Sequence, residues 1–372
     1  MVIGRIFSLL VAARALSGIA GPGTLVIKAR GLLRSGINSF FLVGLLTLLA
    51  TALVGTLQSY RSWRRQELRR IRSNGLVAHT SAGPVEYQVS GQGAAVIYAH
   101  GTPGGYDQGL AFAQFFDPEQ CMLISPSRPG YLGTPQSSGA SPEQQADMYA
   151  ALLDELGIEQ ASVIGFSGGG PSAIQFALRH PERCRSLVMI GAIVQRYCPA
   201  ESLLLLPPWK RYLLQRVEHL LVSDLFLYCI LPFIRLLPMG HVMAGMLCSG
   251  TIYHLREAGY HNDQHHFAAI EQYPLARIKV PTLIVHGTDD EDVPFEDARL
   301  MARLIPRVTL VALNKGNHAS FFIRARTVIP IIQRFLTRPH TDPAMLKTPE
   351  PVCGGESAGG LQTTAMEVRC IQ

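Results

Sequence analysis

The chain has 372 residues, which is enough for one large domain with additional segments. Its net charge of +6 is concentrated at the N-terminus, because residues before position 76 carry eleven basic side chains and one acidic side chain. The remaining residues carry 22 basic and 26 acidic side chains, so the main body is mildly negative. This distribution argues against a nucleic-acid partner and favours a membrane surface near the N-terminus.

Residues 1–75 carry the features of a basic membrane anchor. Phe40 to Leu57 read FFLVGLLTLLATALVGTL, and this run contains no charged residue. Together with the two preceding polar residues it approaches the ~20 residues that are needed to cross the core of a bilayer. Tyr60 and Trp63 follow where an aromatic belt would lie, and six arginines come within the dozen residues 61–72. We therefore predict a transmembrane helix over about 38–57.

The orientation of this span is indicated by the basic residues on its two sides. Lys28, Arg30 and Arg34 precede the span, and six arginines follow it. The positive-inside rule therefore favours a single-pass membrane protein with a cytosolic C-terminal body. Residues 6–27 are apolar apart from one arginine and are broken by Gly-Pro-Gly, so a surface helix and a second span are both open interpretations of them.

From residue 76 to about residue 337 the sequence alternates short apolar runs with longer amphipathic stretches. This pattern is typical of an α/β fold with a mostly parallel, doubly wound sheet flanked by helices. The candidate strands are 85–89, 94–99, 121–125, 161–166, 186–194, 281–287 and 308–313. A helix over 141–156 begins with Ser-Pro-Glu, which supplies an N-cap, a first-turn proline and an early acid.

Two segments depart from this alternation. Residues 195–274 separate two strand candidates by about eighty residues, which is far more than an ordinary connection. This segment is rich in leucine, but prolines and an arginine interrupt its apolar runs before they reach the length of a membrane span. We predict that it forms a helical cap over the carboxyl edge of the sheet. Residues 338–372 lose all periodicity and are predicted to be a disordered tail.

Gly165 to Gly169 read GFSGG and match the pattern G-x-S-x-G between a strand candidate and a helix candidate. This strand, turn and helix arrangement holds a serine in a strained backbone conformation, so small residues must surround it. Gly165 and Gly169 meet that demand, and Gly168 offers a backbone N–H at the start of the helix. Ser167 is therefore the predicted nucleophile. The role of Gly170, which follows the motif, is open.

A second match to the same pattern lies in the predicted tail. Gly355 to Gly359 read GESAG, but no strand candidate precedes them. Neither aspartate nor histidine follows them before the chain ends at Gln372, so we do not expect Ser357 to be a nucleophile.

The base of a serine nucleophile can be sought among the histidines. A serine hydroxyl is a weak nucleophile at neutral pH, so a base must take its proton and a third group must orient that base. Among twelve histidines, His318 alone lies in a loop between the last strand candidate and a final helix. His100 and His286 each end a strand before a glycine, where a packing role is commoner. His318 is therefore the predicted base.

The acid that orients this base is sought at the ends of the later strands. The end of the strand at 186–194 reads GAIVQRY and contains no carboxylate, which moves the search to the next strand end. Residues 289–292 read DDED there, and their spacing to the following Val-Pro favours Asp290. The other three are interpreted as a solvated acidic turn.

Several motifs in one order resemble those of the α/β-hydrolase family over about residues 85–336. HGTPGG at 100–105 resembles the oxyanion loop of the family. HGTDDEDVP at 286–294 and GNH at 316–318 resemble the motifs that carry the acid and the base. SRPGYLGT, which begins at Ser127, resembles the D-x-P-G-x-G-x-S loop, although a serine stands there in place of the aspartate.

The resemblance implies a serine hydrolase with a triad and an oxyanion hole. Ser167 would attack an acyl carbonyl, His318 would transfer the proton, and Asp290 would fix the imidazole tautomer. Backbone N–H groups of Gly168 and Thr102 would bind the oxyanion. The proline after Thr102 has no N–H to contribute.

No cofactor and no metal are expected from the sequence. A Walker lysine motif is absent, and the glycine run lacks the G-x-G-x-x-G spacing of a dinucleotide site. His261 and His265 lie four residues apart, but nothing like H-E-x-x-H surrounds them, so a polar cap surface is favoured over a metal site. The seven cysteines are scattered without a C-x-x-C pair, which favours buried thiols in a reducing compartment.

These features together predict a membrane-anchored serine hydrolase that cleaves a carboxylic ester with an apolar acyl or alkyl group. The span and the leucine-rich cap would let a lipid substrate pass from the bilayer to the site. An amidase, a peptidase or an acyltransferase would use the same residues. A non-catalytic membrane adaptor with the same fold is a further alternative, which the complete triad disfavours. A nucleic-acid partner is not expected, and the oligomeric state is open.

Overall fold

The computed structural model describes residues 39–204, 206–221, 223–237, 239–338 and 367–371. Several predictions fall outside these residues: the segment 6–27, the first residue of the predicted span, the second G-x-S-x-G motif at 355–359 and most of the predicted tail.

The first described element is a long helix, α1 (Ser39–Asn74), which runs well past the apolar segment. Within the described residues it is the one helix long and apolar enough to cross a membrane. Its apolar half is exposed, whereas Ile71 near its end is buried and accepts a hydrogen bond on its carbonyl from Tyr106 Oη at 2.7 Å. The apolar segment and the body are therefore joined by one continuous helix.

The body is built on a nine-stranded sheet in the order β1-β2-β4-β3-β5-β6-β7-β8-β9. Its strands are β1 (Leu76–Thr80), β2 (Gly83–Ser90), β3 (Ala94–Ala99), β4 (Cys121–Pro126), β5 (Ala161–Phe166), β6 (Cys184–Ile190), β7 (Thr282–Gly287), β8 (Val308–Leu313) and β9 (Glu367–Ile371). Only the pairs β1–β2 and β2–β4 are antiparallel among these strands, and the others are parallel. The mostly parallel sheet predicted from the sequence is confirmed.

Helices cover both faces of this sheet, as the alternation of short apolar runs and amphipathic stretches predicts. The helices of the body are α2 (Tyr106–Ala113), α3 (Pro142–Glu155), α4 (Gly170–Arg179), α10 (Phe295–Leu304), α11 (Ser320–Ile323) and α12 (Ala325–Thr337), and those inserted between β6 and β7 are α5 (Pro199–Leu204), α6 (Pro208–Leu221), α7 (Asp224–Ile234), α8 (Gly240–Cys248) and α9 (Glu257–Ala268). Helices α3, α4 and α10 pack on one face, and α2 and α12 on the other.

The central strands supply alternate side chains to these two cores. On β5, Val163 lies in the core beneath α3 and α4, whereas Ile164 lies in the opposite core. Both are fully buried, because successive side chains of a strand point to opposite faces and helices cover both. Helix α3 begins as predicted, with the Ser141 hydroxyl accepting from the Gln144 N–H in a capping box.

The predicted insertion between β6 and β7 is helical. Helix α9 returns to the body over the carboxyl ends of the strands, where Phe267 packs with Ile193 and Val293. Helix α7 packs through Leu231 and Ile234 onto α8. This insertion is called the cap below.

The structure differs from the sequence prediction at both edges of the sheet and at β6. Strand β1 was not predicted, because it is a short edge strand whose pairing depends on the hairpin with β2. The prediction of a disordered tail is wrong for Glu367–Ile371, which pairs in parallel with β8. This strand forms because the open edge of β8 offers unpaired backbone groups, a cause that the strand's own sequence does not reveal. Strand β6 ends at Ile190, four residues before its predicted end.

Candidate functional site

The candidate site lies where the strand order of the sheet reverses. Strand β3 lies between β4 and β5, so the connections that leave β3 and β5 run in opposite directions. Such a switch point opens a crevice at the carboxyl ends of the strands. Thr102 follows β3 and Ser167 follows β5, which brings these two predicted site residues to the same crevice.

Ser167 occupies the turn between β5 and α4. Its φ is +52°, a left-handed conformation that is unusual for a residue with a side chain, and the residue is fully buried. A turn of 3₁₀ helix over Ser167–Gly169 leads directly into α4. Strain of this kind is retained where the surrounding structure fixes it, and it holds the hydroxyl above the sheet.

The glycines around Ser167 are required by close packing. A Cβ on Gly169 would lie 2.0 Å from the Ala99 carbonyl oxygen, and one on Gly165 would lie 2.8 Å from the Ala173 Cβ. The open role of Gly170 is resolved in the same way, since a Cβ there would lie 2.5 Å from the carbonyl oxygen of Ile193 after β6. All three glycines let α4 approach neighbouring backbone or side chains.

The structure brings the predicted nucleophile, base and acid together. His318 Nε2 lies 3.1 Å from Ser167 Oγ, and His318 Nδ1 lies 2.8 Å from Asp290 Oδ2. The three residues come from turns that follow β5, β8 and β7, and all three are buried. Both imidazole nitrogens therefore have a partner, with the carboxylate on one side and the hydroxyl on the other.

Asp290 is held by its own turn as well as by His318. Its Oδ1 accepts from the backbone N–H groups of Asp292 and Val293, each at 2.9 Å. Burial alone would raise the pKa of Asp290, but the hydrogen bond and charge of His318, the charge of His286 and the Val293 N–H outweigh it and lower the pKa. The carboxylate is thus ionised at neutral pH.

The other acidic residues at this strand end differ from one another. Asp289 and Glu291 are exposed, as expected of a solvated acidic turn, but the same interpretation is wrong for Asp292, which is buried where its N–H donates to Asp290. His286 is buried, with Nε2 2.9 Å from the Val293 carbonyl, and burial lowers its pKa. His286 therefore supports the turn that carries Asp290. The sequence indicated a packing role for His286, but it did not indicate which turn it contacts.

The predicted oxyanion donors lie side by side. A Cβ on Gly168 would lie 2.1 Å from Thr102 Oγ1, so the turn after β3 and the start of α4 are in direct contact. The Thr102 hydroxyl donates to Asp263 Oδ2 at 2.5 Å and accepts from Arg128 Nη2 at 2.9 Å. Its side chain is therefore fixed from both sides.

Asp263, on cap helix α9, was not singled out by the sequence analysis. It forms a bidentate ion pair with Arg128 at 2.6 and 2.7 Å and accepts from Tyr131 Oη at 2.5 Å. Burial alone would lower the pKa of Arg128, but the charge of Asp263 raises it. Because Asp263 also accepts from Thr102, the cap and the oxyanion loop are tied through one carboxylate. Only its place in a predicted cap over the strand ends could have indicated this contact.

Glu86 supplies the carboxylate that the family resemblance places at position 127. Its Oε2 accepts from Ser127 Oγ at 3.1 Å and from the Gly133 N–H at 2.9 Å. Burial raises the pKa of Glu86, and the hydrogen bonds from Gly133 and Ser127 partly offset this effect. The loop that begins at Ser127 is thus closed by an acid from β2.

A second buried ion pair ties α1 to the oxyanion loop. Arg256, in the cap, binds Asp107 through Nη2 at 2.9 Å and donates through Nη1 to the Gly104 carbonyl at 2.6 Å. Arg70 of α1 approaches the same carboxylate at 3.4 Å. The end of α1, the cap and the HGTPGG loop therefore meet at Asp107.

In the parts of the chain that the structure describes, no group of three or more His, Cys, Asp or Glu side chains could hold a metal ion. His261 lies on α9 and is exposed, 3.8 Å from Glu257, and His265 stacks edge-on against His266. These histidines form the polar cap surface that the sequence favours.

The fold and the site together define a hydrolase. Residues 94–217 match the model of the alpha/beta hydrolase fold. A poly(3-hydroxyalkanoate) depolymerase from Ectopseudomonas oleovorans is 32% identical over 217 residues, which are 56% of this chain and 72% of the relative. An uncharacterised hydrolase from Bacillus subtilis is 26% identical over 253 residues, or 63% of this chain and 88% of the relative.

A solved structure supports the same family assignment. The alpha/beta hydrolase fold protein from Nakamurella multipartita is 35% identical, with a TM-score of 0.59, and the match covers 71% of this chain and 99% of that one. The chain belongs to the α/β-hydrolase family.

Proposed function

We propose that this hydrolase is a membrane-anchored serine esterase that cleaves a carboxylic ester with an apolar acyl or alkyl group. The observation that carries the proposal is the chain of contacts from Ser167 through His318 to Asp290, at 3.1 and 2.8 Å. A buried hydroxyl, an imidazole with both nitrogens engaged and an ionised carboxylate form the set that nucleophilic acyl transfer requires.

The first half of the reaction forms an acyl-enzyme. Ser167 Oγ attacks the carbonyl carbon of the ester while its proton passes to His318 Nε2. The negative charge that develops on the carbonyl oxygen is stabilised by the N–H groups of Gly168 and Thr102. Asp290 keeps the Nδ1–H of the imidazole directed to itself and stabilises the imidazolium. The carbon–oxygen bond then breaks as His318 returns the proton to the leaving alcohol.

The second half releases the acid. A water molecule attacks the acyl carbon, and His318 Nε2 takes its proton. The same oxyanion donors stabilise the second tetrahedral intermediate. Ser167 leaves with the proton that His318 returns, so the products are one carboxylic acid and the original enzyme.

The membrane anchor is proposed from α1. Phe40 to Leu57 would extend over ~27 Å as a helix, which is close to the ~30 Å of a bilayer core. The apolar side chains of this helix that the structure describes between Val43 and Val54 are exposed, and a bilayer would cover them. We further propose that the body is cytosolic, from the six arginines that follow the apolar run. A reporter fused after Gln372 should then signal in the cytosol, and an external signal would reverse this orientation.

The apolar part of the substrate is proposed from the surroundings of Ser167 and from a relative. Phe166 packs against His318 and Phe322, and Phe267 lies next to Gly168. The 32% identical relative is named for depolymerising poly(3-hydroxyalkanoate), which by its chemical structure is a polyester. Both observations favour an ester with an apolar portion over a charged peptide.

A panel of p-nitrophenyl esters of increasing acyl length tests the proposal with Ser167→Ala as the background. We expect wild-type hydrolysis that rises from acetyl to longer acyl chains and disappears in the variant. A preference for acetyl would contradict the apolar substrate. Hydrolysis of amides alone would favour an amidase or peptidase, transfer to an added alcohol would favour an acyltransferase, and inactivity toward all of them would favour a non-catalytic adaptor.

A further inference from the structure

The cap carries apolar side chains on its outside as well as its inside. The exposed set on α6, on α7 and on the turn after α7 is defined here as the outer cap face: Trp209, Leu213, Val217, Leu220, Leu225, Phe233, Leu236 and Leu237, with exposed fractions from 39% to 83%. A set of this size on neighbouring elements is uncommon on a soluble surface and marks contact with another apolar phase.

Helix α6 turns an apolar stripe away from the body. Trp209, Leu213, Val217 and Leu220 follow one another at spacings of four, four and three residues, which places them on one face of the helix. A helix on a soluble protein directs such a stripe to the core, whereas these four side chains are at least 40% exposed. Basic residues border the stripe, with Lys210 over the Trp209 ring at 5.5 Å.

Helix α7 is apolar around most of its circumference. Its sequence from Leu225 to Ile234 contains no charged residue. The inner side is buried, with Leu231 and Ile234 packed on α8, while Phe233 on the outer side is 70% exposed. A helix that is apolar all round is stable where both of its sides are covered.

The contact between α7 and α1 indicates what covers the outer side. Tyr228 of α7 packs against Tyr60 and Trp63 of α1 with ring centroids 5.7 and 5.4 Å apart, and Arg64 binds Asp224 at 3.2 Å. Tyr60 lies three residues after the apolar run ends, a rise of ~4.5 Å along the helix. The headgroup layer of a bilayer is ~5–7 Å deep on each side, so α7 meets α1 at the level of that layer.

We propose that the outer cap face is seated in the headgroup and acyl boundary of the same bilayer that α1 spans. This inference rests on the proposed membrane span. Exposed aromatic residues together with Lys210, Arg211 and Arg216 are the composition that an interfacial helix presents to anionic lipids. The cap is tied to the oxyanion loop through α9, so a lipid ester would reach the site from the membrane side.

Tryptophan fluorescence of the full chain in vesicles tests the seating directly. The protein has two tryptophans, so Trp63→Phe leaves Trp209 as the single reporter. In vesicles of phosphatidylcholine and phosphatidylserine we expect Trp209 to be quenched by lipids brominated near the start of the acyl chain and shielded from aqueous iodide. The Trp209→Phe variant is the matched control and reports Trp63 at the contact with α7.

Two results would overturn the proposal. Quenching of Trp209 by iodide as strong as that of a free tryptophan amide would place the face in water. Shielding from both iodide and brominated lipid would place it against protein, as in a second copy of the chain.

Activity on two substrates separates this proposal from the proposed function. The double change Phe233→Gln and Leu236→Gln should slow hydrolysis of a long-chain ester held in vesicles about tenfold and leave a short soluble ester within about twofold. Val77→Gln, at an apolar and exposed position on β1, should change neither rate. If the double variant changes the rates on the two substrates by the same factor relative to the wild type, the seating is contradicted. If the wild type cleaves neither ester, the proposed function fails, and the fluorescence result still decides the seating.

Discussion

The sheet body and the outer cap face place their apolar side chains in opposite environments. In the body, β5 sends Val163 and Ile164 into two cores that helices cover on both sides. In the cap, Phe233 and Trp209 face outward at 70% and 64% exposure. The body therefore follows the pattern of a protein in water, and the cap follows that pattern on its inner side only. The proposed seating of the outer cap face in a bilayer would account for this difference, and the predictions below test the body and the cap in turn.

The largest effect is expected at the buried acid of the body. Asp290→Asn should lower kcat about 10³–10⁴-fold, because an amide beside Nδ1 no longer enforces the tautomer in which Nε2 accepts the Ser167 proton. Asp289→Asn changes the exposed neighbour and should leave kcat within about twofold. Steady-state kinetics on a soluble ester checks both, and equal losses in the two variants would remove Asp290 from its role.

The next effect concerns the carboxylate that links cap and body. Asp263→Asn leaves the guanidinium of Arg128 buried without a counter-charge, which should cost about 3–5 kcal/mol of unfolding free energy. Asp147→Asn breaks an exposed ion pair with Arg179 and should cost less than about 1 kcal/mol. Denaturation in detergent measures both. A small loss for Asp263→Asn would show that the cap is not tied to the oxyanion loop in this way.

The two sides of α7 allow a comparison within one helix. Leu231→Ala should destabilise the protein by about 2–4 kcal/mol, because its side chain is buried against α8. Phe233→Ala should change stability in lipid-free detergent by less than about 0.5 kcal/mol, since its ring is exposed. Similar losses from the two changes would mean that protein covers both sides of the helix.

The buried acid also predicts how stability depends on pH. Because the pKa of Asp290 is lowered in the folded state, its ionised form stabilises the fold at pH values above the ordinary value of 3.8. That stabilisation is lost as the pH falls through the lowered pKa. The melting temperature of the wild type should therefore exceed that of Asp290→Asn at pH 7, and the gap should narrow below pH 3.8. A gap that is constant with pH would contradict the shift.

The smallest effect is expected at the third glycine of the turn. Gly170→Ala places a methyl group 2.5 Å from the Ile193 carbonyl oxygen, so α4 must shift at a cost of about 1–3 kcal/mol. The folded fraction should retain kcat within a few-fold, because the atoms nearest the added methyl group belong to Ala192 and Ile193. Active-site titration gives the concentration of folded enzyme, and the hydrolysis rate divided by that concentration gives the kcat that checks this. A large loss of kcat with unchanged stability would give Gly170 a direct part in the chemistry.

The sequence predicted the features that depend on local patterns. The G-x-S-x-G turn, the loop of His318 and the strand end at Asp290 could be found because each function sits at a recognisable junction of elements. Gly168 followed from its place at the start of the helix, and Thr102 followed from the family resemblance. The structure brings all five to one crevice.

The features that were missed depend on contacts between distant parts of the chain. Asp263 lies 161 residues from Thr102, and no spacing in the sequence relates them. Glu86 replaces the expected acid at position 127 from a different strand. The outer cap face could not be separated from a buried core, because a leucine-rich helix has the same sequence whether protein or lipid covers it.

Labelling with a fluorophosphonate, followed by mass spectrometry of the modified peptide, would identify the nucleophile. We expect a single adduct on Ser167 that disappears in Ser167→Ala and persists in Ser357→Ala, which changes the serine of the second G-x-S-x-G motif. An unlabelled wild type, or an adduct that survives Ser167→Ala, would contradict this expectation.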